Sequence, residues 1–325
     1  MKKILIIIGI AVFGLIALTF AKDQILRTII ATTTTAVTGA PTKIKTFSLS
    51  WTKHSVLIEN FRMYNPKGFP KEVFVDIPKI EADLDVGGLL KRKLHLEKVT
   101  LDLNEIIIIK NEEGLLNVDA LKVTQAQEGA GEKKGTPKKK AGRIPMQIDE
   151  LNLNLGRVIY KDYTKGTPPK VDVYELSIKN KQYRNIASAQ QLAVIIMSEP
   201  LKHTAIQGSK IFAAQAILGV GFLPAGVAVT LAGKNSAQET FERPYDTVYD
   251  KTLATLQGLT DRATIKDENK ETGVIAALVD KNNVVLKIEK VTDRSTQITV
   301  SARRLFLPKP EVAQGVLYQI AQKLK

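Results

Sequence analysis

The side chains able to do covalent or metal chemistry are few in this chain and stand apart. Its three histidines, His54, His95 and His203, are isolated in sequence. No His-Glu-x-x-His pair and no run of acidic residues offers ligands at metal spacing. Cysteine is absent, which excludes disulfides, thiolate metal sites and a cysteine nucleophile and leaves the redox compartment open. Residues 228–235, Ala-Val-Thr-Leu-Ala-Gly-Lys-Asn, share only Gly233-Lys234 with a phosphate-binding loop. Ala228 stands where the first glycine is needed, and Asn235 lacks the hydroxyl. Neither Gly-x-Ser-x-Gly nor Gly-x-Gly-x-x-Gly occurs. Asp267, Glu268 and Glu271 cluster beside Lys266, Asn269 and Gly273, a composition that reads as a solvated turn. The expectation is a protein that is not an enzyme and holds no metal or cofactor. What its residues can do is exclude water.

The clearest sign of this lies at residues 79–86, where Ile80, Ala82, Leu84 and Val86 alternate with Lys79, Glu81, Asp83 and Asp85. A period of two puts the apolar set on one face of an extended strand. The pattern continues through Leu94/Leu96 and then Val99/Leu101/Leu103, and the slip in parity between Leu96 and Val99 predicts a bulge. A sheet with one wet and one dry face follows. Ile106 to Ile109 is continuously apolar, as expected of a strand covered on both sides.

The elements that must position this face follow in order. Met1-Lys2-Lys3 precede eighteen uncharged residues, Ile4 to Ala21. As a helix these span roughly 27 Å, close to the ~30 Å hydrocarbon core of a bilayer. The flanking lysines keep the N-terminus cytoplasmic and send the rest across. A cleaved signal peptide is the competing reading, against which stand the length of the run and the poor site at Thr19-Phe20-Ala21. A single-pass anchor over 1–21 is expected, in the inner membrane with the bulk periplasmic. Export then removes nucleic acid as a partner despite the net charge of +14. Residues 22–39 read as a helix that either spaces the sheet from the membrane or caps its first edge. Strands are expected at 43–49, 55–64, 73–86, 94–103 and 106–109, with more over 144–180, about eight in all. Between them, 123–143 is Gly- and Lys-rich with six positive charges, from Lys133 to Arg143, and is expected to be a disordered basic insert. A helix at 187–197 closes the 22–199 domain. Residues 211–233 carry no charge, but Gly219, Gly221, Pro224 and Gly226 interrupt them, so a helical hairpin is expected over a true span. Within 200–244 a linker follows from 234. Residues 245–325 read as a small α+β sandwich: a helix, four strands with a turn at 280–283, and a closing helix at 311–324.

Taken together, Asn65-Pro66-x-Gly68-Phe69, the strand of residues 77–90, the strand of 94–103, and the turn of 110–114 with Asn117 and Leu121 resemble in their order the N-terminal region of the AsmA-like family of bacterial envelope proteins. The resemblance runs over about 38–185, less the insert. It implies an α+β fold with an N-terminal transmembrane helix, a long, curved, mostly antiparallel β-sheet with packing helices, and a groove on the sheet's concave side. The implied function is binding of lipid acyl chains, in phospholipid transport or outer-membrane and envelope assembly. Candidate groove residues are Ile80, Ala82, Leu84, Val86, Leu94, Leu101 and Leu103; Leu96 shares their alternation but is held apart from the set. Membrane lipids are the expected partners. The same side chains could instead pack on the helices of 187–233 and form a filled core, since periodicity reports a dry face and not its occupant. A second reading is a non-enzymatic periplasmic scaffold whose C-terminal domain and basic insert bind another envelope protein or the cell wall. Residues 245–325 resemble a family of small bacterial envelope domains of unknown function, which carries no chemistry across.

Overall fold

A computed structural model describes residues 22–90, 93–125, 146–206, 210–218 and 236–325. The expected anchor, most of the basic insert and most of the apolar run at 211–233 lie outside them. The fold is α+β, with two six-stranded sheets. The first has the order β1-β2-β3-β4-β5-β6: β1 Thr42–Ser50, β2 Ser55–Tyr64, β3 Val73–Leu84, β4 Leu94–Lys110, β5 Met146–Asp162 and β6 Lys170–Ile186. Six strands stand where about eight were expected, because the 94–103 and 106–109 segments are one continuous strand, and 144–180 yields two long strands. Every pairing is antiparallel except β4 with β5, which are parallel from Leu94↔Met146 to Lys110↔Asp162. Alternation cannot report this. The connection over 111–145 carries the chain back to the start of β4 before β5 begins.

The bulge expected between Leu96 and Val99 is present. Asp83 pairs with Lys98 and Leu84 with Leu96, which leaves Glu97 unpaired on β4. Strand β3 ends at Leu84, and Val86 belongs to the short helix α2, Val86–Leu90. The turn residues of the sequence signature also find a physical reason. Asn117 is fully buried and donates to Asn65 Oδ1 (2.7 Å) and to the Ile107 carbonyl (2.8 Å), while its Oδ1 accepts from the Ile109 N–H (3.1 Å). Asn65 in turn donates to the Pro70 carbonyl at 2.9 Å. The two asparagines thus satisfy buried backbone that no strand reaches. One helical turn follows them, α3, Lys122–Gln125.

Helix α1, residues 22–38, lies along the free edge of β1. Asp23 accepts from the Leu49 N–H, Lys22 Nζ donates to the Leu49 carbonyl at 2.8 Å, and Arg27 donates to the Lys45 carbonyl at 2.9 Å. Thr35 accepts from the Thr42 N–H at 3.2 Å. Outward backbone groups of an edge strand that would otherwise recruit another chain are taken up, so α1 caps the edge. Among the described residues no helix is long and apolar enough to cross a membrane.

The second sheet has the order β12-β11-β10-β9-β8, with β7 beside β12 on the outer edge of β11. Its strands are β7 Ser236–Phe241, β8 Ala263–Asn269, β9 Val274–Val279, β10 Asn282–Thr292, β11 Ser295–Arg304 and β12 Leu307–Pro308. Residues expected to be a linker from 234 onward therefore include a strand of this sheet. Ala237, buried against the second core, is the one apolar residue in Ser-Ala-Gln-Glu-Thr-Phe before Phe241, too little for alternation to show. The β9–β10 hairpin turns on Asp280 and Lys281, both at positive φ (46° and 66°), the backbone a two-residue turn between twisted strands requires. Helices α6, Tyr245–Gln257, and α7, Pro310–Leu324, complete the unit.

Helix α7 sits between the sheets. Val312, Val316 and Ile320 enter the second core. Tyr318 packs on the outer face of the first sheet, against Ile107, Ile109, Ile159, Val171 and Val173. That contact explains the continuous apolar run at 106–109: Ile106 and Ile108 face the main core and Ile107 and Ile109 face α7. Arg157, paired with Glu105 at 2.7 Å, lies over the Tyr318 ring at 5.9 Å, and Arg262, buried beside Asp280, donates to the Pro168 carbonyl at 3.0 Å. The two units are thus joined by backbone as well as side chains.

Candidate functional site

The dry face of the first sheet is one continuous apolar cluster, and most of it is covered by the chain itself. Helix α4, Ala189–Leu201, starts where β6 ends and lies over β5 and β6. Helix α5, Ile211–Ile217, returns beside it, with the Gln191 side chain donating to the Leu218 carbonyl at 2.9 Å. Val194, Ile195, Met197 and Leu201 from α4, and Ile211 and Ala214 from α5, share a core with Leu101, Leu103, Leu151, Leu153 and Leu155. Four of the expected groove residues are deep in this core: Ala82, Leu84, Leu101 and Leu103. Ile80 and Leu94 belong to it but are only half-buried, as is Leu96. Val86, on α2, is half-buried and lies outside the cluster.

Several of the half-buried members lie toward one end of the sheet. Val56 pairs with Ala82, Ile80 with Leu101, Leu84 with Leu96, and Leu94 with Met146. Leu94, Leu96 and Met146 thus lie side by side at the end of the sheet where Lys22 meets Leu49, and Val56 and Ile80 join them across the buried Ala82, Leu84 and Leu101 as a half-covered apolar strip. Leu192 and Ile196 of α4 and Leu26, Ile30 and Ala31 of α1 are half-buried against the same cluster. Sequence reading named Ile80 and Leu94 as candidates and set Leu96 apart from them despite its alternation. It missed Val56 and Met146, because only the parallel pairing puts Met146 beside Leu94, and no local signal carries that pairing. Trp51 is half-exposed in the turn between β1 and β2, two residues from Leu49.

On the wet side of this end, His95 bridges two carboxylates. Its Nδ1 lies 3.0 Å from Asp85 Oδ2 and its Nε2 2.7 Å from Asp149 Oδ2. The hydrogen bond to Asp85, then that to Asp149, raises the imidazole above its ordinary value, and both carboxyls are lowered by the same bonds to His95. A group with a raised folded value stabilises fully at low pH, and that contribution is lost as pH rises through the folded value. NMR titration of His95 is therefore expected to show a midpoint above the ordinary histidine range, moved down by Asp85→Asn or Asp149→Asn. An ordinary midpoint in the parent protein would contradict the bridge.

At the opposite end of the sheet, a polar cleft of about 530 Å³ separates the two units, with Lys110, Lys170, Asp172, Arg304 and Glu311 on its walls. Asp172 is buried, which raises its carboxyl above the usual range against the pull of Lys170 Nζ at 2.5 Å. Among the described residues no group of three or more histidine and carboxylate side chains is arranged to hold a metal ion.

Comparison with known proteins adds one strong finding. A model of the AsmA family matches residues 4–241. No curated protein matches the chain. Among solved structures, the exocytosis-sensitive phosphoprotein pp63/parafusin, a phosphoglucomutase from Paramecium in its open form, aligns with 51% of this chain at 8% identity and a TM-score of 0.18. The chain spans 29% of that structure's length, and a similarity of this size carries no argument about fold or activity.

Proposed function

Because the chain belongs to the AsmA family, an envelope-associated one, we propose that it binds lipid acyl chains on the half-covered apolar strip and serves phospholipid transport or outer-membrane assembly. The observation that carries this reading is the strip itself: Val56, Ile80, Leu94, Leu96 and Met146 are apolar, incompletely covered and set among buried apolar neighbours on the same face. Its place supports the reading. It lies at the end of the sheet where Lys22 begins α1, and residues 4–21 are proposed to be a single-pass inner-membrane anchor with a cytoplasmic N-terminus and the remainder in the periplasm. Trp51 is exposed at the same end, where an aromatic ring suits a headgroup layer. No reaction is proposed. Acyl carbons leaving water for the strip gain about 0.8 kcal/mol per CH₂, so a contact of about five methylenes supplies roughly 4 kcal/mol.

Native mass spectrometry of the detergent-extracted full chain tests this. A lipid adduct at near-stoichiometric occupancy is expected. Leu84 and Leu101 are too deeply buried for a polar replacement to leave the fold intact. Ile80→Asn with Leu96→Gln is the informative pair, and it should weaken lipid retention at least tenfold. A folded double variant that keeps its lipid unchanged would overturn the proposal.

A further inference from the structure

The β11–β12 hairpin projects three large apolar side chains into solvent. Leu305, Phe306 and Leu307 are 83%, 94% and 69% exposed. The turn is tight, with Arg304 pairing Leu307 across it. Leu305 has a φ of 55°, a conformation that glycine or asparagine adopts readily and a bulky residue rarely does. Neither solubility nor packing accounts for a strained turn that displays leucine and phenylalanine. Along the sequence the flanking charges are of one sign, while Arg304 also lines the cleft that holds Asp172 and Glu311. Arg303, Arg304 and Lys309 surround the tip, and no acidic residue intervenes before Glu311. Lys309 is 3.5 Å from Glu311, while among the described residues Arg303 and Arg304 have no ion-pair partner.

We propose that this tip is a membrane-docking device: Leu305, Phe306 and Leu307 enter the acyl boundary of an anionic bilayer while Arg303 and Arg304 meet its headgroups. The shape favours lipid over a protein partner. A stable protein interface needs about 800 Å² on each side, and a two-residue turn offers no such face, whereas lipid closes around a small convex tip. Apolar insertion with a basic collar is the arrangement by which peripheral segments hold anionic membranes. The tip lies far enough from Lys22 to meet a second bilayer, separate from the one proposed to hold residues 4–21. Lys22 contacts Leu49 in the row of strand residues that includes Ala82 and Val99, whereas Arg304 shares the polar cleft with Lys110. Eleven residues of β4 separate those rows, about 36 Å at 3.3 Å per residue.

The test uses the full chain in phosphatidylcholine nanodiscs, carrying Trp51→Phe and Phe306→Trp so that the sole tryptophan marks the tip. Separate vesicles containing brominated phosphatidylglycerol are then added. Quenching of the tip fluorophore by these vesicles is expected, and the vesicle affinity it reports should fall at least tenfold with Arg303→Gln and Arg304→Gln. Leu305→Ser and Leu307→Ser in the same background should also abolish quenching while circular dichroism stays unchanged. Quenching only by brominated lipid placed in the nanodisc would overturn the second-surface assignment. The absence of quenching by either, together with a protein captured by a photocrosslinker at position 306, would overturn lipid docking. Lipid retention on the strip is a separate measurement, so either proposal can fail alone.

Discussion

Replacing Glu199 with alanine is expected to lower the unfolding free energy by about 3 kcal/mol, the lower end for breaking a buried ionic group. Glu199 is 2% exposed near the end of α4. It accepts from the Tyr183 hydroxyl of β6, from Lys202 Nζ at 2.8 Å and from His203 Nε2 at 3.3 Å, with Lys181 at 3.8 Å. Burial alone would raise its carboxyl, but the bonds from His203, Lys202 and Tyr183 outweigh that and lower it to about 2. The lower end is appropriate because Lys202 and Lys181 retain some access to water once the carboxylate is gone. Tyr183→Phe should cost less, about 1.5 kcal/mol for one bond to a charged acceptor, since two donors remain. The sign with pH follows from the lowered value. The contribution is present above the unfolded carboxyl's pKa, about 4.3, and disappears as pH falls toward about 2. Urea midpoints across that window should converge for the parent protein and Glu199→Ala. A neutral-pH midpoint that does not move on substitution would show that α4 is held to β6 by apolar contact alone.

The second large effect is expected at Gly315, inside α7. A Cβ there would lie 1.9 Å from the Val171 carbonyl oxygen, 2.8 Å from its carbon and 3.3 Å from Asp172 Cα. These are backbone atoms of β6 and cannot rotate aside, so α7 must lift from the sheet. Gly315→Val is expected to cost about 3 kcal/mol, the upper end for overpacking, and to expose Ile109, Ile159 and Val173 where Tyr318 now covers them. Hydrogen exchange should report the separation as faster exchange at β6 with the β9–β10–β11 amides unchanged. Gly68→Ala is the comparison. That glycine has a φ of 91° but no atom within 4 Å of its would-be Cβ, so its cost is conformational, about 1 kcal/mol. Equal stability of Gly315→Val and the parent would mean that α7 is not seated on Val171.

Much of the fold was legible because its signals are local. The alternation at 79–86 belongs to one strand, except that Val86 turns into α2. The parity slip after Leu96 marks an unpaired Glu97, and the apolar run at 106–109 is covered on both faces. The candidate site was legible only as far as its floor. Ile80, Leu94 and Leu96 could be read as one apolar face, but Ala82, Leu84, Leu101 and Leu103 have identical alternation and lie beneath other parts of the chain. The polar Asp85, His95 and Asp149 gave no motif, because 54 residues separate the last two.

From its residues alone the chain determined where most of the strands and helices form, which face of the first sheet's strands is dry, and that no catalytic constellation is encoded in a local motif. Those properties depend on side-chain type at a spacing of two or 3.6 residues, which neighbours in sequence set by themselves. Only the tertiary structure decided that β5 runs parallel to β4, that residues 236–241 join the second sheet, that α1 closes the first edge, and which part of the dry face is left half-covered. Each of these depends on which distant segment lies alongside, and apolar burial is non-directional: it rewards covering a dry face without specifying the element that covers it.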